Sequence, residues 1–298
     1  MGLAIRTEGL TRRFGKVTAV EGLDLAVRRG SITAFLGPNG AGKTTTISLL
    51  LGLLKAHSGT CEVLGFPPGH PQALSQLGAM VESPSLYEHL TGRENLEITR
   101  LMRGNPRTEV DRVLAVVGLQ NDAKRPVRTY SLGMRQRLGI GLALLGQPNL
   151  LILDEPTNGL DPAGIQEIRE LIRHLPQDTG ATIFLSSHVL AEVGKVAQDV
   201  VVIHRGRLRY QGPLESMGGN AHEEGLLIRV NDPTRGTQRL AEQGFLVHER
   251  AGTLWVQAPP QKAPHLANLM VNSGLDLYEL SPATPDLEAR FLALLDEA

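Results

Sequence analysis

The sequence predicts an α/β fold with a parallel sheet, followed by a smaller α+β domain. Short apolar runs that are typical of buried strands alternate with helical patterns through the first 220 residues. A polar, glycine-rich stretch then interrupts the pattern, and the charge balance changes beside it. Residues 1–220 hold 24 basic and 20 acidic side chains, whereas residues 221–298 hold 6 and 11. We therefore expect a first domain at 1–218, a linker at 219–225 and a second domain at 226–298.

The strands and helices of the first domain follow from hydrophobic periodicity. Ser31–Leu36 is a short apolar strand, and an apolar helix follows it from Lys43 to Leu54. Leu150–Leu153 and Ala181–Leu185 have the composition of two more buried strands. Between these two, residues 163–175 carry apolar side chains at the spacing of a helix that packs on a sheet. This order predicts strands of one sheet joined by helices.

Two regions of the first domain depart from this alternation. Residues 85–147 have mostly helical patterns, with breaks at Gly104–Pro106 and Arg125–Pro126, which indicates a helical insertion into the sheet domain. Val200–His204 and Arg207–Gln211 are typical of a hairpin. The second domain has the pattern of strand, helix, hairpin, helix, strand and a last helix, which predicts a small α+β module.

The composition excludes several classes of protein. The 298 residues carry a net charge of −1 and a pI of about 6.8, without the strong basic excess of a dedicated nucleic-acid-binding protein. No apolar run approaches the roughly 18 residues of a membrane-spanning helix, and the N-terminus lacks an apolar signal-peptide core. The single cysteine, Cys61, excludes an internal disulfide and a cysteine zinc site. We expect a cytoplasmic protein that does not cross a membrane by itself.

The first motif with recognisable chemistry runs from Gly37 to Thr44. Its sequence Gly-Pro-Asn-Gly-Ala-Gly-Lys-Thr matches the phosphate-binding pattern G-x-x-x-x-G-K-[ST], between a predicted strand and a predicted helix. The glycines let backbone N–H groups turn toward a phosphate, and the helix directs its positive end at the same anion. We expect Lys43 to reach the β- and γ-phosphates of a nucleotide, and the Thr44 hydroxyl to bind Mg²⁺.

Two adjacent carboxylates, Asp154 and Glu155, follow the predicted strand Leu150–Leu153. The carboxyl ends of parallel strands meet at one edge of a sheet, so we expect both carboxylates to lie beside the phosphate loop. Asp154 is then suited to hold Mg²⁺ through water, and Glu155 to act as general base on the attacking water. These residues predict a nucleoside triphosphatase.

Four further segments resemble motifs of the ATP-binding cassette (ABC) family. Phe14 stands where that family has an aromatic residue stacked on adenine, and Tyr130–Arg137 stands where the family has its signature sequence. Asn158–Pro162 matches the loop after the catalytic glutamate. His188, preceded by Ser186 and Ser187, follows the next strand as the family's switch histidine does. The resemblance covers residues 3 to about 215.

The resemblance implies a P-loop NTPase cassette with a RecA-like core, a small antiparallel β part and a helical insertion, which uses ATP and Mg²⁺. In the family two chains close around two ATP molecules, and the signature of each chain faces the ATP held by the other. Ser131 can offer a hydroxyl and Gly133 an N–H to that phosphate, at the start of a helix. Asp161 would lie at the dimer seam, and His188 would contact the γ-phosphate.

The site residues implied in this way fall into four groups. The ATP-binding residues are Phe14, Gly37, Pro38, Asn39, Gly40, Ala41, Gly42, Lys43, Thr44 and Thr45. The signature residues acting on the partner's ATP are Ser131, Leu132, Gly133 and Met134, with Asp161 in the dimer loop. The catalytic residues are Lys43, Glu155 and His188, and the metal-site residues are Thr44, Glu82 and Asp154.

The sequence departs from the family pattern at three positions. Leu132 replaces the first glycine of the signature, and Met134 replaces its usual glutamine. Glu82 stands at the position of the family's glutamine; it can accept a hydrogen bond from a metal-bound water but lacks the amide donor. The alternative is that Glu82 is a solvated loop acid. The segment around Glu82, and the ending Leu280–Leu292, resemble the bacitracin, lantibiotic and daunorubicin export ATPases.

These resemblances imply the ATP-hydrolysing subunit of a membrane exporter for peptide antibiotics or other hydrophobic compounds. It would work as a homodimer, or as a heterodimer with a similar ATPase, on the cytoplasmic face of the cell membrane. Its partner would be a separate integral-membrane permease that docks near Glu82–Leu96, and no nucleic acid is expected as a partner. An importer ATPase and an ABC-type ATPase of translation or repair are the alternatives. The second domain is suited to brace the dimer or to dock a partner, with a sensor role as the alternative.

Overall fold

The computed structural model describes residues 2–217, 225–250, 252–282 and 287–296. Their contacts divide into two units. The first holds the described residues up to Glu215 together with Phe291–Asp296, and the second holds the described residues from Ser216 to Arg290. Apart from Gly225, the linker predicted at 219–225 lies outside the described residues.

The first unit alternates strands and helices. In chain order it contains β1 (Leu3–Phe14), β2 (Val17–Arg28), β3 (Ile32–Leu36), α1 (Lys43–Leu50), β4 (Ser58–Val63), α2 (Pro71–Leu74), β5 (Leu77–Met80), α3 (Gly92–Arg103), α4 (Thr108–Val116), α5 (Leu132–Leu144), β6 (Leu150–Leu153), α6 (Pro162–Thr179), β7 (Thr182–Ser187), α7 (Leu190–Val193), β8 (Asp199–His204) and β9 (Arg207–Pro213). A short helix α8 (Leu214–Met217) follows at the boundary with the second unit, and a 3₁₀ turn occupies Val127–Thr129.

Two sheets form the body of this unit. The larger has the order β5-β6-β7-β3-β8-β9, in which the first five strands are parallel and β9 pairs antiparallel with β8. The smaller is antiparallel, with the order β2-β1-β4. The predicted α/β class is confirmed, and the hairpin predicted at 200–211 corresponds to β8 and β9.

The helix that follows the phosphate loop is packed between the two sheets. Ile47 and Leu50 of α1 belong to one buried cluster with Leu23 of β2, Phe35 of β3 and Phe184 of β7. This packing holds the start of α1 at the carboxyl edge of the parallel sheet. The helix ends at Leu50 and not, as predicted, at Leu54. The reason is Gly52, whose φ of +74° is left-handed and on which a Cβ would lie 2.7 Å from the backbone nitrogen of Gly69.

The insertion predicted at 85–147 is helical and consists of α3, α4 and α5. Thr91 begins α3 with a capping box: its hydroxyl accepts from the Glu94 N–H, and the Glu94 carboxylate accepts from the Thr91 N–H at 2.8 Å. Glu109 of α4 forms two bonds of 2.8 Å to Arg112 and accepts from the N–H of Gly146 at 3.0 Å. These contacts attach the helical segment to the loop that leads into β6.

The second unit contains β10 (Gly225–Val230), α9 (Pro233–Glu242), β11 (Val247–Arg250), β12 (Thr253–Gln257), a 3₁₀ turn, α10 (Ala263–Asn272), β13 (Leu277–Pro282) and the start of α11 (Leu287–Asp296). Its sheet is antiparallel with the order β11-β12-β10-β13, which is a split βαββαβ arrangement. Apolar side chains of α9 and α10 cover this sheet, among them Leu240, Leu266 and Met270.

The last helix, α11, does not follow the domain boundary that the sequence predicts. The sequence predicts one domain over residues 226–298, whereas Phe291–Asp296 of α11 group with the first unit. Phe291 and Leu294 are buried. The sequence shows that this helix has an apolar face, but periodicity does not indicate which body covers it.

Candidate active site

The phosphate loop occupies the turn between β3 and α1, and its glycines are required by close contacts. A Cβ on Gly37 would lie 2.3 Å from the carbonyl oxygen of Ile203 in β8. A Cβ on Gly42 would lie 2.4 Å from the carbonyl oxygen of Ala19 in β2, and Gly42 also has a φ of +107°. The loop therefore fits between the two sheets only with glycine at these positions.

Lys43 is the first residue of α1, and its side chain is only 6% exposed. The ammonium donates to the carbonyl oxygens of Gly37 at 2.7 Å and Pro38 at 3.2 Å. It also lies 3.1 Å from Oε1 of Glu155. The cation of the phosphate loop and the carboxylate at the end of β6 thus meet, as their positions in the sequence predict.

Asp154 is 1% exposed, and its two carboxylate oxygens differ in their surroundings. Oδ1 accepts a 2.5 Å hydrogen bond from the hydroxyl of Ser186. Oδ2 is buried without a hydrogen-bond partner. A carboxylate oxygen without a partner can accept from a further donor, such as a metal-bound water.

Glu155 and His188 are in direct contact. Nδ1 of His188 lies 2.9 Å from Oε2 of Glu155. The contact follows from the parallel pairing of β6 with β7, in which Leu153 is opposite Leu185. The residues after both strands therefore lie at the same edge of the sheet, although 33 positions separate Glu155 from His188.

Lys43, Glu155 and His188 border a cavity of about 530 Å³, a volume in the range of small-molecule sites. Eight of the predicted site residues line it: Asn39, Gly40, Gly42, Lys43, Thr44, Thr45, Glu155 and His188. The cavity opens at the amino end of α1, where backbone N–H groups and a buried ammonium are available to an anion. The arrangement is suited to hold a polyphosphate beside a carboxylate and an imidazole.

Sequence reasoning missed several residues that line this cavity. They are Val17, Thr18 and Ala19 of β2, and Arg205 in the turn between β8 and β9. Asn158, the first residue of the predicted loop Asn158–Pro162, also lines the cavity. The turn is attached to the phosphate loop because the N–H of Gly206 donates to the carbonyl of Ala41 at 2.9 Å. Such a contact between distant segments leaves no pattern in the sequence.

Phe14, the residue expected to stack on adenine, does not line the cavity as the structure has it. Its ring is 46% exposed at the end of β1. The guanidinium of Arg12 lies over that ring, 4.7 Å from its centroid. This cation–π contact occupies one face of the ring.

One residue of the signature and one of the dimer loop cap helices of this chain. Ser131 caps α5, and its hydroxyl accepts from the N–H of Met134 at 3.2 Å. Asp161 caps α6, and its carboxylate accepts from the N–H of Gly164 at 3.0 Å. Leu132, at the position of the family's glycine, is 48% exposed. These residues lie outside the lining of the cavity.

Glu82 is exposed just beyond the end of β5, with a left-handed φ of +56°. It is also absent from the lining of the cavity. Of the predicted metal-site residues, Thr44 lines the cavity, whereas Asp154 and Glu82 do not. In the part of the chain that is described, no group of three or more His, Cys, Asp or Glu side chains could hold a metal ion. Mg²⁺ is usually held by one or two carboxylates, waters and substrate phosphates, so Thr44 and Asp154 fit such a site without a dedicated cage.

Comparison with known proteins relates this chain to ATP-binding proteins of ABC transporters. A model of the ABC transporter family matches residues 20–158. The bacitracin transport ATP-binding protein BcrA of Bacillus licheniformis is 40% identical over 302 residues, covering 99% of this chain and 98% of that protein. The lantibiotic transport ATP-binding protein SrtF of Streptococcus pyogenes is 40% identical over 204 residues, covering 68% of this chain and 88% of that protein.

Solved structures of ABC transporter subunits resemble this chain in fold. The ATP-binding subunit of an ABC transporter superimposes with a TM-score of 0.63 at 30% identity, over 72% of this chain and 91% of that one. The cbiO1 protein of Clostridium perfringens, part of the ABC transporter complex cbiONQ, superimposes with a TM-score of 0.68 at 25% identity, over 82% and 98%. No helix among the described residues is both long and apolar enough to span a membrane. From its sequence relatives and its fold, the chain belongs to the ABC transporter family, as an ATP-binding subunit that hydrolyses ATP.

Proposed function

We propose that this subunit drives the export of peptide antibiotics or other hydrophobic compounds through a separate permease. The observation that carries the proposal is the 40% identity with a bacitracin transport ATP-binding protein across nearly the whole of both chains. That alignment includes the second unit as well as the cassette, so the likeness is not confined to the ATPase motifs. The export ATPase is then peripheral to the cytoplasmic face of the membrane.

The site residues act on ATP in defined roles under this proposal. The backbone N–H groups from Gly40 to Thr45 and the Lys43 ammonium bind the phosphates. Glu155 accepts a proton from the water that attacks the γ-phosphorus, while the bond from that phosphorus to the ADP oxygen breaks. His188 lies 2.9 Å from the Glu155 carboxylate and orients it. Thr44 and Asp154 would hold Mg²⁺, which would neutralise charge on the phosphates.

The active unit is a dimer that encloses two ATP molecules. Ser131 and Gly133 at the start of α5 supply a hydroxyl and an N–H to the ATP of the other chain, and Asp161 lies at the seam. The exposed positions of Ser131 and Leu132 support this proposal, because a surface that binds a partner's nucleotide must be accessible. Closure on ATP and reopening after hydrolysis then move the permease, which docks near Glu82–Leu96.

The export proposal is tested in the native host. We expect deletion of the gene to lower the inhibitory concentration of bacitracin or of a lantibiotic at least fourfold. The wild-type gene should restore resistance, and E155Q should not, although the variant protein accumulates normally. An antibiotic that acts on the ribosome serves as the control and should be unaffected. Unchanged susceptibility to all peptide antibiotics, together with retained ATPase activity, would show that the subunit serves another transport process.

A further inference from the structure

We propose that Ser186 is a positioning residue for ATP hydrolysis, which fixes the main chain of Glu155 and sets the orientation of the Asp154 carboxylate. The inference rests on the proposed catalytic role of Glu155 and the proposed metal role of Asp154. Ser186 is fully buried near the end of β7, next to the end of β6. The parallel pairing that places Leu153 opposite Leu185 brings the following residues, Asp154 and Ser186, side by side.

The hydrogen bonds of Ser186 have a defined direction. The N–H of Glu155 donates to Oγ of Ser186 at 2.8 Å. The hydroxyl therefore uses a lone pair toward Glu155, and its one proton goes to Oδ1 of Asp154, 2.5 Å away. A carboxylate can only accept, so this order is the one that satisfies all three groups. One hydroxyl thus connects the two acidic residues, one through its backbone and the other through its side chain.

The first consequence concerns Asp154. With Oδ1 engaged by Ser186, the carboxylate is turned so that Oδ2 is left buried and without a partner. Oδ2 is then the oxygen available to a metal-bound water. Without the hydroxyl, both oxygens would compete for that water and the carboxylate could rotate. Ser186 therefore prepares the metal site without touching the metal.

The second consequence concerns Glu155. Its φ of +47° lies in the left-handed region, which is unfavourable for a residue with a side chain. The bond from its N–H to Ser186 satisfies the partly buried amide in this conformation. Ser186 and His188 are two positions apart in an extended segment, so their side chains point to the same side of the chain. Both therefore face Glu155. Ser186 holds the Glu155 main chain, and His188 holds its carboxylate.

The test compares S186T with S186V, because threonine and valine have nearly the same shape and differ in the hydroxyl. We expect S186V to lower kcat about 10- to 100-fold, as is typical for residues that orient catalytic groups. The KM for ATP should change less than about threefold, and S186T should recover most of the kcat. S186A adds no volume and should behave like S186V. Equal kcat values for S186T and S186V, or a wild-type kcat for S186A, would overturn the inference.

A second readout does not depend on turnover. Mn²⁺ binding to the protein with a non-hydrolysable ATP analogue, followed by electron paramagnetic resonance, should weaken about tenfold in S186V and stay near wild type in S186T. S187A is the matched control, since the Ser187 hydroxyl bonds to the backbone of Val189 and, among the described residues, to neither acidic residue. It should leave kcat and Mn²⁺ binding within about threefold of wild type. K43A is measured in parallel: if it does not abolish ATP hydrolysis, the proposed site is at fault and not the role of Ser186.

Discussion

The ammonium of Lys43 and the carboxylate of Glu155 form an ion pair across the cavity, with Nζ 3.1 Å from Oε1 and side-chain exposures of 6% and 18%. Each partner has further contacts: Lys43 donates to the Gly37 carbonyl, and Glu155 contacts His188. A bound triphosphate carries more negative charge than one carboxylate, so it competes with Glu155 for the ammonium. We infer that ATP binding releases Glu155 from Lys43 and makes it available as a base.

The first prediction concerns Lys43. We expect K43A to weaken ATP binding at least tenfold, because the variant loses the buried cation and leaves Glu155 charged beside the phosphates. Isothermal titration calorimetry with ATP and Mg²⁺ measures the change. K55A, which removes an exposed lysine beyond α1, is the control and should bind like wild type. Unchanged affinity of K43A would contradict the assignment of the phosphate loop.

The second prediction concerns Glu155. We expect E155Q to hydrolyse ATP about 10²- to 10⁴-fold more slowly, since the amide cannot accept the proton of the attacking water. ATP affinity should be maintained or increased, because glutamine no longer competes as an anion for Lys43. Gel filtration with ATP and Mg²⁺ should show a dimer that accumulates. If only monomer is present under these conditions, the shared-site proposal is wrong.

The third prediction concerns Arg205, a second basic residue that lines the cavity. Removal of this charge in R205A should raise the KM for ATP a few-fold and leave kcat nearly unchanged. The difference in KM between R205A and the wild type should be smaller at high salt, because salt screens the charge. R207A is a matched control on the same hairpin, because Arg207 is paired with Glu21 and does not line the cavity. Equal KM values for the two variants would show that Arg205 does not contribute to ATP binding.

The fourth prediction concerns Glu82. Because this residue is exposed and lies outside the lining of the cavity, we expect E82Q to retain ATPase activity within about threefold of wild type. The measurement is steady-state hydrolysis at saturating Mg²⁺. A large loss of turnover in E82Q would show that the negative charge itself takes part in the reaction.

The fifth prediction concerns the stability of the cassette. Hydrogen bonds from Arg112, Gln147 and the Gly146 N–H lower the pKa of Glu109 to about 2, with the Arg112 bond the largest cause. A depressed carboxyl pKa means that the ionised carboxylate is more stable in the folded protein than in the unfolded chain. The stabilisation is therefore present above the ordinary pKa of a glutamate and is lost as the pH falls toward 2.

We expect E109Q to lower the midpoint of thermal unfolding by several degrees at pH 7, because Arg112 loses its bidentate partner. The difference from wild type should shrink between about pH 5 and pH 2. E170Q is the matched control, since Glu170 and Arg173 form the same pair three residues apart but are about 40% exposed. Its midpoint should change by less than about 1 °C. A pH-independent difference for E109Q would mean that the charge of Glu109 is not what stabilises this contact.

Much of the site could be predicted because its motifs are contiguous. A strand, a glycine-rich turn and a helix that begins with Lys43 form one local unit, and its conformation follows from glycine at Gly40 and Gly42 and from the apolar residues of α1. Asp154 and Glu155 follow an apolar strand in the same way. For the second domain the sequence predicts the α+β class but not the strand order β11-β12-β10-β13, because a succession of strands and helices is compatible with several strand orders.

The α/β class, the phosphate loop with Lys43 and the acidic pair at the end of a strand can be predicted from the amino-acid sequence, because they depend on local backbone geometry and hydrophobic period. Three features are seen only in the folded chain: Ser186 bonds both acidic residues, Arg205 lines the cavity, and Phe291–Asp296 group with the first unit. These relationships depend on strand order and register between segments far apart in the chain, and a one-residue change of register would move every side chain to the other face of its strand.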